Sequence, residues 1–284
     1  MSEKIIALVD GSVYAASVCD HAAWIAARTE APVELLHVLG RREGADTKDR
    51  SGAIALGART ALLNELAALD AQRAKLMMER GRAILDDART KLEAAGVTQG
   101  TTRLRHGDIV ETVAEIEDQA RVIVIGKRGE AADFATGHLG SNLERILRSS
   151  HKPILVASRA FRPIHKVLVA FDGGTSALKA IDHIAHSPVF QGLDVHVVTV
   201  GNESAQVAKG LETAQAILRA AGIAAETSVL PGQPETVLAR LVEDAGFDLL
   251  VMGAYGHSRI RSLIIGSTTT AMIRACKVPL VLMR

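Results

Sequence analysis

The sequence contains an internal repeat, in which the same series of short apolar segments occurs twice and in the same order. The first half contains KIIALVD, PVELLHVLG, TTRLRHGD, RVIVIG and PILVAS, and the second contains KVLVAFD, LDVHVVTVG, AETSVLPG, DLLVMG and PLVLMR. Each segment is rich in Val, Ile and Leu and is bounded by Gly, Pro or Asp, which is typical of strands buried on both faces. The repeat therefore predicts that the chain consists of two copies of one structural unit, each with five strands.

Segments with helical periodicity separate the predicted strands. After the first strand of the second half, one helix face collects the apolar residues Ala177, Leu178, Ile181, Ile184 and Ala185. Aromatic residues make up only 3% of the chain, which favours helices on a parallel sheet over an aromatic-rich β-sandwich. We therefore expect an α/β fold of two tandem five-stranded parallel-sheet units with helices on both faces.

The segment ASRAFRPIHK, residues 157–166, joins the two units. We place the first unit at residues 1–158 and the second at residues 163–284. A duplicated chain can keep one ancestral interface within itself, so the units are expected to pack as a pseudo-dimer. The terminal strands PILVAS and PLVLMR are candidate edges for pairing, either between the halves or between chains.

One region breaks the repeat. The interval from Gly40 to Gly107 spans 67 positions, whereas the equivalent interval from Gly201 to Gly232 spans 31. The first unit therefore carries an insert at about residues 41–95. Helical spacing is kept in it by Leu62, Leu63, Leu66 and Leu69 and by Ile84, Leu85, Ala88 and Leu92. The insert is either a lengthened crossover helix with a surface loop or a lid or partner-docking helix over the first-half crevice.

Composition excludes several classes of protein. A net charge of +1 argues against a dedicated nucleic-acid binder. Only Cys19 and Cys276 occur, without paired spacing, which argues against a disulfide framework or structural zinc and favours a reducing cytoplasm. No apolar run reaches the ~20 residues that cross a bilayer, and MSEKIIALVDGS lacks the features of a signal peptide. We therefore expect a cytoplasmic protein that binds neither nucleic acid nor membrane.

Residues suited to ligand binding follow two predicted strands of each unit. Asp10 and Asp172 end the first strands, and a glycine-rich loop follows each fourth strand. Ligands of open parallel sheets bind beyond the carboxyl ends of the strands. An Asp accepts hydrogen bonds from ribose hydroxyls, and glycines let backbone amides approach phosphate oxygens. The helix that begins at Ser267 and Thr268 would direct its N-terminal amides at the same anion.

With these residues the sequence resembles the universal stress protein family, and specifically its tandem members. Nucleotide-binding members carry Gly-x2-Gly-x9-Gly-Ser/Thr after the fourth strand, and Gly253, Gly256, Gly266 and Ser267 match that spacing. The resemblance covers nearly the whole chain apart from the insert. It implies a flavodoxin- or Rossmann-like fold of the adenine nucleotide alpha hydrolase type.

The resemblance implies an ATP site in the second unit, with Mg or Mn bridging the phosphates and no metal ligand from protein side chains. Asp172 would contact the ribose, and the backbone of Thr199 and Val200 would meet the adenine. The phosphates would be held by Gly253, Gly256, Gly266, Ser267 and Thr268. His257 either touches a phosphate or lies in the loop without a role. Ser267 also suits a helix N-cap, and Asp172 before two glycines also favours a turn.

The first unit departs from the family spacing. Ten residues, rather than nine, separate Gly129 from Gly140, which shifts the converging amides by up to ~3.5 Å of chain. Lys127 and Arg128 are available to attract an anion. The first-unit candidates are Asp10, Gly126, Gly129, Gly140, Ser141 and Asn142. We expect nucleotide binding chiefly in the second unit.

The resulting hypothesis is a stress-response protein that binds ATP as a regulatory ligand without substantial turnover. No nucleophile paired with a base can be nominated, so no residue is predicted to be catalytic, while weak ATPase activity stays open. The alternative is a scaffold or small-molecule-binding protein with relic phosphate loops. Besides the adenine nucleotide, the expected partners are a second copy of the chain and an unidentified protein.

Overall fold

The computed structural model describes residues 3–40, 56–129, 140–254 and 266–284. The first-half strands are β1 (Lys4–Leu8), β2 (Val33–Gly40), β3 (Gly100–Gly107), β4 (Ala120–Gly126) and β5 (Ile154–Ala157). The second-half strands are β6 (Lys166–Ala170), β7 (Asp194–Val200), β8 (Ala225–Leu230), β9 (Leu249–Gly253) and β10 (Leu280–Met283). All ten segments predicted as strands are confirmed.

Eight α-helices and two short 3-10 helices (Glu117–Gln119 and Pro188–Phe190) lie in the described part of the chain. In the first half the α-helices are α1 (Ala15–Thr29), α2 (Leu56–Ala94), α3 (Ile109–Ile116) and α4 (Ser141–Ser149). In the second half they are α5 (Thr175–His186), α6 (Ala205–Ala220), α7 (Pro234–Asp244) and α8 (Ser267–Ala275). None of these described helices combines the length and the apolar character needed to cross a membrane.

The strands form one ten-stranded sheet in the order β3-β2-β1-β4-β5-β10-β9-β6-β7-β8. Neighbouring strands are parallel within each half, and the two halves meet where β5 and β10 pair antiparallel, with Leu155 opposite Val281. The order is the same in both halves when each is read outward from this junction. The expected pseudo-dimer is therefore confirmed, and the terminal strands pair between the halves rather than between chains.

Each face of the sheet carries its own hydrophobic core. Side chains alternate along β6, so Val167 and Val169 join the core beneath α1, α2, α5 and α6. Leu168 points to the opposite face and joins the core beneath α3, α4, α7 and α8. The central strands are consequently buried on both faces, which explains why their sequences are continuous apolar runs.

The outermost strands, β3 and β8, correct one prediction. Their segments were expected to be buried on both faces, but every residue of both strands is partly or fully exposed. Each strand pairs on one side only, since both stand at the ends of the sheet. A sheet edge covered by few neighbours accepts the polar residues that β3 carries, such as Arg103 and Arg105.

The insert forms one long helix, α2, and its two leucine groups have different surroundings. Leu85, Ala88 and Leu92 are buried against the sheet. Gly81 lies so close to it that an added Cβ would be 2.8 Å from Leu104 Cδ1. The other group is exposed to solvent, as are all residues of the segment 62–76. Residues 41–55 of the predicted insert lie outside the described residues.

The linker packs onto α1 through a buried histidine. The ring of Phe161 meets the ring of His21 edge-on, with 5.0 Å between the centroids. Nδ1 of His21 lies 2.6 Å from the carbonyl oxygen of Ser17. Because a carbonyl oxygen only accepts hydrogen bonds, Nδ1 is the protonated ring nitrogen and donates this one. His21 is fully buried, and burial lowers its pKa. The folded protein therefore holds His21 in the neutral form.

Acidification is expected to destabilise the protein partly through His21. Below the ordinary pKa of about 6.5, the unfolded chain binds a proton at His21 that the folded chain resists. The stability contributed by a neutral His21 is complete above that pH and is lost as the pH falls below it. The free energy of unfolding can be measured with urea at about pH 7.5 and about pH 5.5. It should decrease less between these two pH values in His21→Leu than in the wild type.

The matched control is His106→Gln, at an exposed histidine on β3. The free energy of unfolding of this variant should decrease between the two pH values as much as that of the wild type. If the free energy of unfolding of His21→Leu decreased on acidification as much as that of the wild type, the assignment of His21 as a buried neutral group would be contradicted.

Candidate functional site

The second-half candidates converge at the carboxyl ends of three neighbouring strands. β6 lies between β7 and β9, and Ala170 is in register with both Val198 and Met252. Asp172, two residues beyond Ala170, therefore lies next to the ends of β7 and β9. The crossover through α5 leaves β6 on one face of the sheet, while the connection through α8 leaves β9 on the other. The gap between β6 and β9 is thus a topological switch point, where open sheets bind ligands.

Asp172 occupies a turn that aims its carboxylate at the start of α5. The side chain is exposed, and its Oδ1 accepts a hydrogen bond of 2.9 Å from the amide of Gly174. Gly173 has a φ of +75°, which favours glycine. Asp172 therefore forms the turn that the sequence also favoured. This turn is compatible with ligand binding, because it orients the carboxylate at the edge of the crevice.

Gly253 allows α5 to approach the end of β9 closely. An added Cβ at Gly253 would lie 2.9 Å from Cβ of Ser176 and 3.2 Å from the amide nitrogen of Ala177. The first half repeats the arrangement, since an added Cβ at Gly126 would lie 2.7 Å from Cβ of Tyr14. These two glycines therefore have a packing role that the sequence did not predict.

The first turn of α8 is fastened to the end of β9. The amide of Gly266 donates to the carbonyl of Ala254 at 3.3 Å. The buried Thr269 hydroxyl lies 3.4 Å from the Gly253 carbonyl and 3.3 Å from the Ala254 carbonyl. The sequence analysis missed Thr269, although its place one turn after Gly266 is a usable signal, because it directs the hydroxyl back toward the strand.

The N-terminus of α8 has no side-chain cap. Gly266 is the N-cap residue, Ser267 is exposed and Thr268 is partly exposed. The first amides of a helix have no partner within the helix, and the helix dipole makes this end positive. Side chains cap α3 (Asp108) and α6 (Ser204), whereas α1, α4, α5 and α7 lack a side-chain cap, as α8 does. The start of α8 is therefore suited to an anion.

Thr199 and Val200 lie at the end of β7, as predicted, and the Thr199 side chain has a structural partner. The buried hydroxyl of Thr199 donates to the carbonyl of Phe171 at 2.7 Å and so ties β7 to the residue before Asp172. Val200 is paired with Leu230 of β8. Gly256 and His257, which were predicted in the same site, lie outside the described residues.

Similarity to known proteins identifies the family of the chain. A family model described as the universal stress protein family matches residues 1–158 and, separately, residues 163–284. The chain belongs to the universal stress protein family. The resemblance inferred from the glycine spacing is thereby confirmed at the level of the family.

One relative matches this universal stress protein over nearly its whole length, and another matches most of it. A universal stress protein of Synechocystis sp. (strain ATCC 27184 / PCC 6803 / Kazusa) is 38% identical, and the match covers 99% of this chain and 100% of the relative. One of Mycobacterium tuberculosis (strain ATCC 25618 / H37Rv) is 24% identical over 73% of this chain and 74% of its own. The crystal structure of a universal stress protein from Archaeoglobus fulgidus DSM 4304 has a TM-score of 0.72 at 20% identity, covering 100% of this chain and 99% of that one.

The first crevice of this universal stress protein also brings its candidates together. An added Cβ at Gly129 would lie 3.0 Å from Oδ2 of Asp10, and one at Gly140 would lie 3.6 Å from the amide nitrogen of Gly129. Gly140 therefore returns to Gly129 despite the extra residue between them. Ser141 and Asn142 form the first turn of α4, next to this point.

Two features distinguish the first crevice from the second. Leu143, which is buried, stands where α8 has Thr269, so α4 lacks the hydroxyl that fastens α8 to its strand. Lys127 was expected to attract an anion, but its ammonium donates to the carbonyl of Cys276 in the other half. Burial lowers the pKa of Lys127. Because Cys276 is the C-cap of α8, Lys127 stabilises the negative end of that helix.

Proposed function

We propose that the second crevice binds ATP as a regulatory ligand. The observation that carries the proposal is the placement of the Asp172 carboxylate and the uncapped first turn of α8 at the ends of adjacent strands. A carboxylate accepts hydrogen bonds from ribose hydroxyls, and helix N-terminal amides bind phosphate. One edge of the sheet thus offers both groups that a nucleoside phosphate requires.

The residues around the crevice fit such a ligand. Among the described residues, an added Cβ at Gly266 would make only ordinary contacts, at 3.5 Å from Thr269 Oγ1 and 3.7 Å from the Ala254 carbonyl oxygen. Thr269 holds the α8 amides in place, and Thr199 fixes the strand end beside Asp172. Mg or Mn would be bound by phosphate oxygens, because both cations prefer oxygen ligands.

We propose that bound ATP is not turned over substantially. The hydroxyls of Thr199 and Thr269 lie near the crevice, but each has a backbone carbonyl as its hydrogen-bond partner. A carbonyl does not act as the base that a nucleophilic hydroxyl requires, so neither threonine is placed to accept a phosphoryl group from ATP. ATP would then act by a difference in its affinity for two states of the protein.

The test is equilibrium dialysis of the nucleotide-stripped protein against ATP and Mg, in the wild type and in Gly266→Val. The variant should fold normally, because a Cβ at Gly266 meets only ordinary van der Waals contacts with the described residues. Its Cβ would hold the phosphate away from the α8 amides, which should weaken ATP binding by about 100-fold, or about 3 kcal/mol.

The matched control is Gly140→Val, at the equivalent N-cap of α4 in the first half. One mole of ATP per chain, lost in Gly266→Val and kept in Gly140→Val, would support the proposal. A folded Gly266→Val that binds ATP like the wild type would overturn it. No binding to the wild type at millimolar ATP would favour the scaffold or small-molecule alternative.

A further inference from the structure

Three polar side chains outside the two crevices lie in series on β7 and β8. Oγ of Ser228 in β8 lies 2.8 Å from Nε2 of His196 in β7. The other ring nitrogen of His196, Nδ1, lies 3.8 Å from Oε2 of Glu226, which also belongs to β8. A hydroxyl, an imidazole and a carboxylate in this order are the components of a catalytic triad, in which the imidazole removes the proton of the hydroxyl.

The parallel pairing of β7 with β8 sets the positions of these side chains. Glu226 is in register with His196, and Ser228 is two residues further along β8. Because side chains alternate between the faces of a strand, all three stand on the same face of the sheet. The ring of Phe247 meets that of His196 edge-on, with 5.9 Å between the centroids, and so restricts the orientation of the imidazole. Chain spacing gave no signal for this cluster, since Ser228 and His196 are 32 positions apart.

The arrangement favours the tautomer of His196 that a base requires. Nε2 accepts the proton of the Ser228 hydroxyl when the ring proton lies on Nδ1, and the Glu226 carboxylate attracts that proton. A second serine–histidine pair lacks this property. Oγ of Ser17 lies 3.2 Å from Nδ1 of His21, but this nitrogen already donates to the Ser17 carbonyl, and His21 is fully buried.

A substrate can reach Ser228 from solvent. Ser228 and His196 are both partly exposed, and β8 stands at the end of the sheet. The Leu230 carbonyl accepts a hydrogen bond from the Gly201 amide, so the backbone of Leu230 faces β7. Because backbone groups alternate in direction along a strand, the amide of Val229 points to the open edge. An outward amide directly after the nucleophile is a donor for the oxyanion that forms when a carbonyl is attacked.

We propose that Ser228, His196 and Glu226 hydrolyse small activated acyl esters. Oγ of Ser228 attacks the ester carbonyl carbon while Nε2 of His196 takes the hydroxyl proton, which then passes to the departing alcohol or phenol. Water, deprotonated by His196, releases the acyl group as a carboxylic acid and restores the hydroxyl. Glu226 is a positioning residue, because it acts on the imidazole and not on the ester. Esters with good leaving groups suit this open surface, since such groups need little stabilisation by the protein.

Hydrolysis of p-nitrophenyl acetate by the full chain tests the proposal. Ser228→Ala and His196→Gln should each lower kcat/KM at least about 10-fold, because each removes one partner of the proton transfer. The matched control is His186→Gln, at an exposed histidine whose Nδ1 lies 3.2 Å from the carboxylate of Asp182 instead of near a serine. This control should keep the wild-type rate, and urea unfolding should show that all three variants are folded. A folded Ser228→Ala that hydrolyses the ester like the wild type would overturn the proposal.

A fluorophosphonate identifies the nucleophile itself. Oγ of Ser228 attacks phosphorus and expels fluoride, His196 accepts the hydroxyl proton, and the phosphonyl group stays on the serine oxygen. Mass spectrometry of peptides should locate the label on Ser228 in the wild type, and labelling should be at least about 10-fold slower in His196→Gln. An unlabelled Ser228, or equal labelling rates in the two proteins, would contradict the assignment.

Glu226→Gln tests the positioning role of the carboxylate. The side chain of Glu226 is 87% exposed, so the variant should fold like the wild type. Gln keeps the shape of the side chain but removes the charge that stabilises the protonated imidazole in the transition state. We therefore expect kcat to fall about 10-fold while KM stays at the wild-type value. An unchanged kcat would remove Glu226 from the proposed triad.

Discussion

Replacing Glu34 by alanine is expected to lower the free energy of unfolding by about 3–5 kcal/mol. Glu34 lies in β2, with only 4% of its surface exposed, although it carries a charge. Its Oε2 accepts hydrogen bonds from Nζ of Lys4 at 2.9 Å and from Nη2 of Arg103 at 3.2 Å. Without the carboxylate, two partly buried cations on β1 and β3 face each other uncompensated. Urea unfolding of the variant and the wild type measures the loss.

An exposed ion pair of similar length provides the control for Glu34. Glu243 and Lys277 are 2.8 Å apart, but both side chains are more than half exposed. Because solvent screens exposed pairs, Glu243→Ala should unfold at nearly the wild-type urea concentration. Equal losses in the two variants would show that burial does not control the strength of the Glu34 cluster.

Replacing Gly253 by alanine is expected to destabilise the second half and to weaken ATP binding together. The added Cβ would lie 2.9 Å from Cβ of Ser176 and 3.2 Å from the α5 backbone, so the start of α5 has to move away from β9. Overpacking of this kind costs about 1–3 kcal/mol. The same movement shifts the turn of Asp172, which leads directly into α5. Urea unfolding and equilibrium dialysis measure the two effects.

The removal of the opposing atom tests the cause of that loss. Ser176→Gly deletes the Cβ that lies nearest to the new one, so the double variant should recover part of both the stability and the ATP affinity. Recovery should be incomplete, because the backbone contact at Ala177 remains. A double variant whose losses equal the sum of the two single variants would contradict a steric cause.

The sequence by itself determined the architecture and the strand ends at which the candidate site lies. Strand and helix periodicity, together with the Gly, Pro and Asp residues that bound each segment, located all ten strands. These signals are local, because side chains alternate along a strand and recur every turn of a helix. The repeat predicted that Asp172 and Gly253 each lie at the carboxyl end of a strand. The order of the strands in the sheet brings these two ends together.

Only the tertiary structure decided which partners these residues meet. Lys127 looked like an anion ligand from its place in the glycine loop, yet it donates to the carbonyl of Cys276 across the junction of the halves. Gly253 looked like a phosphate residue, yet its missing Cβ also admits Ser176 of α5. Spacing along the chain specifies where a backbone turns, but a side chain's partner is set by elements that are distant in sequence and packed close in space.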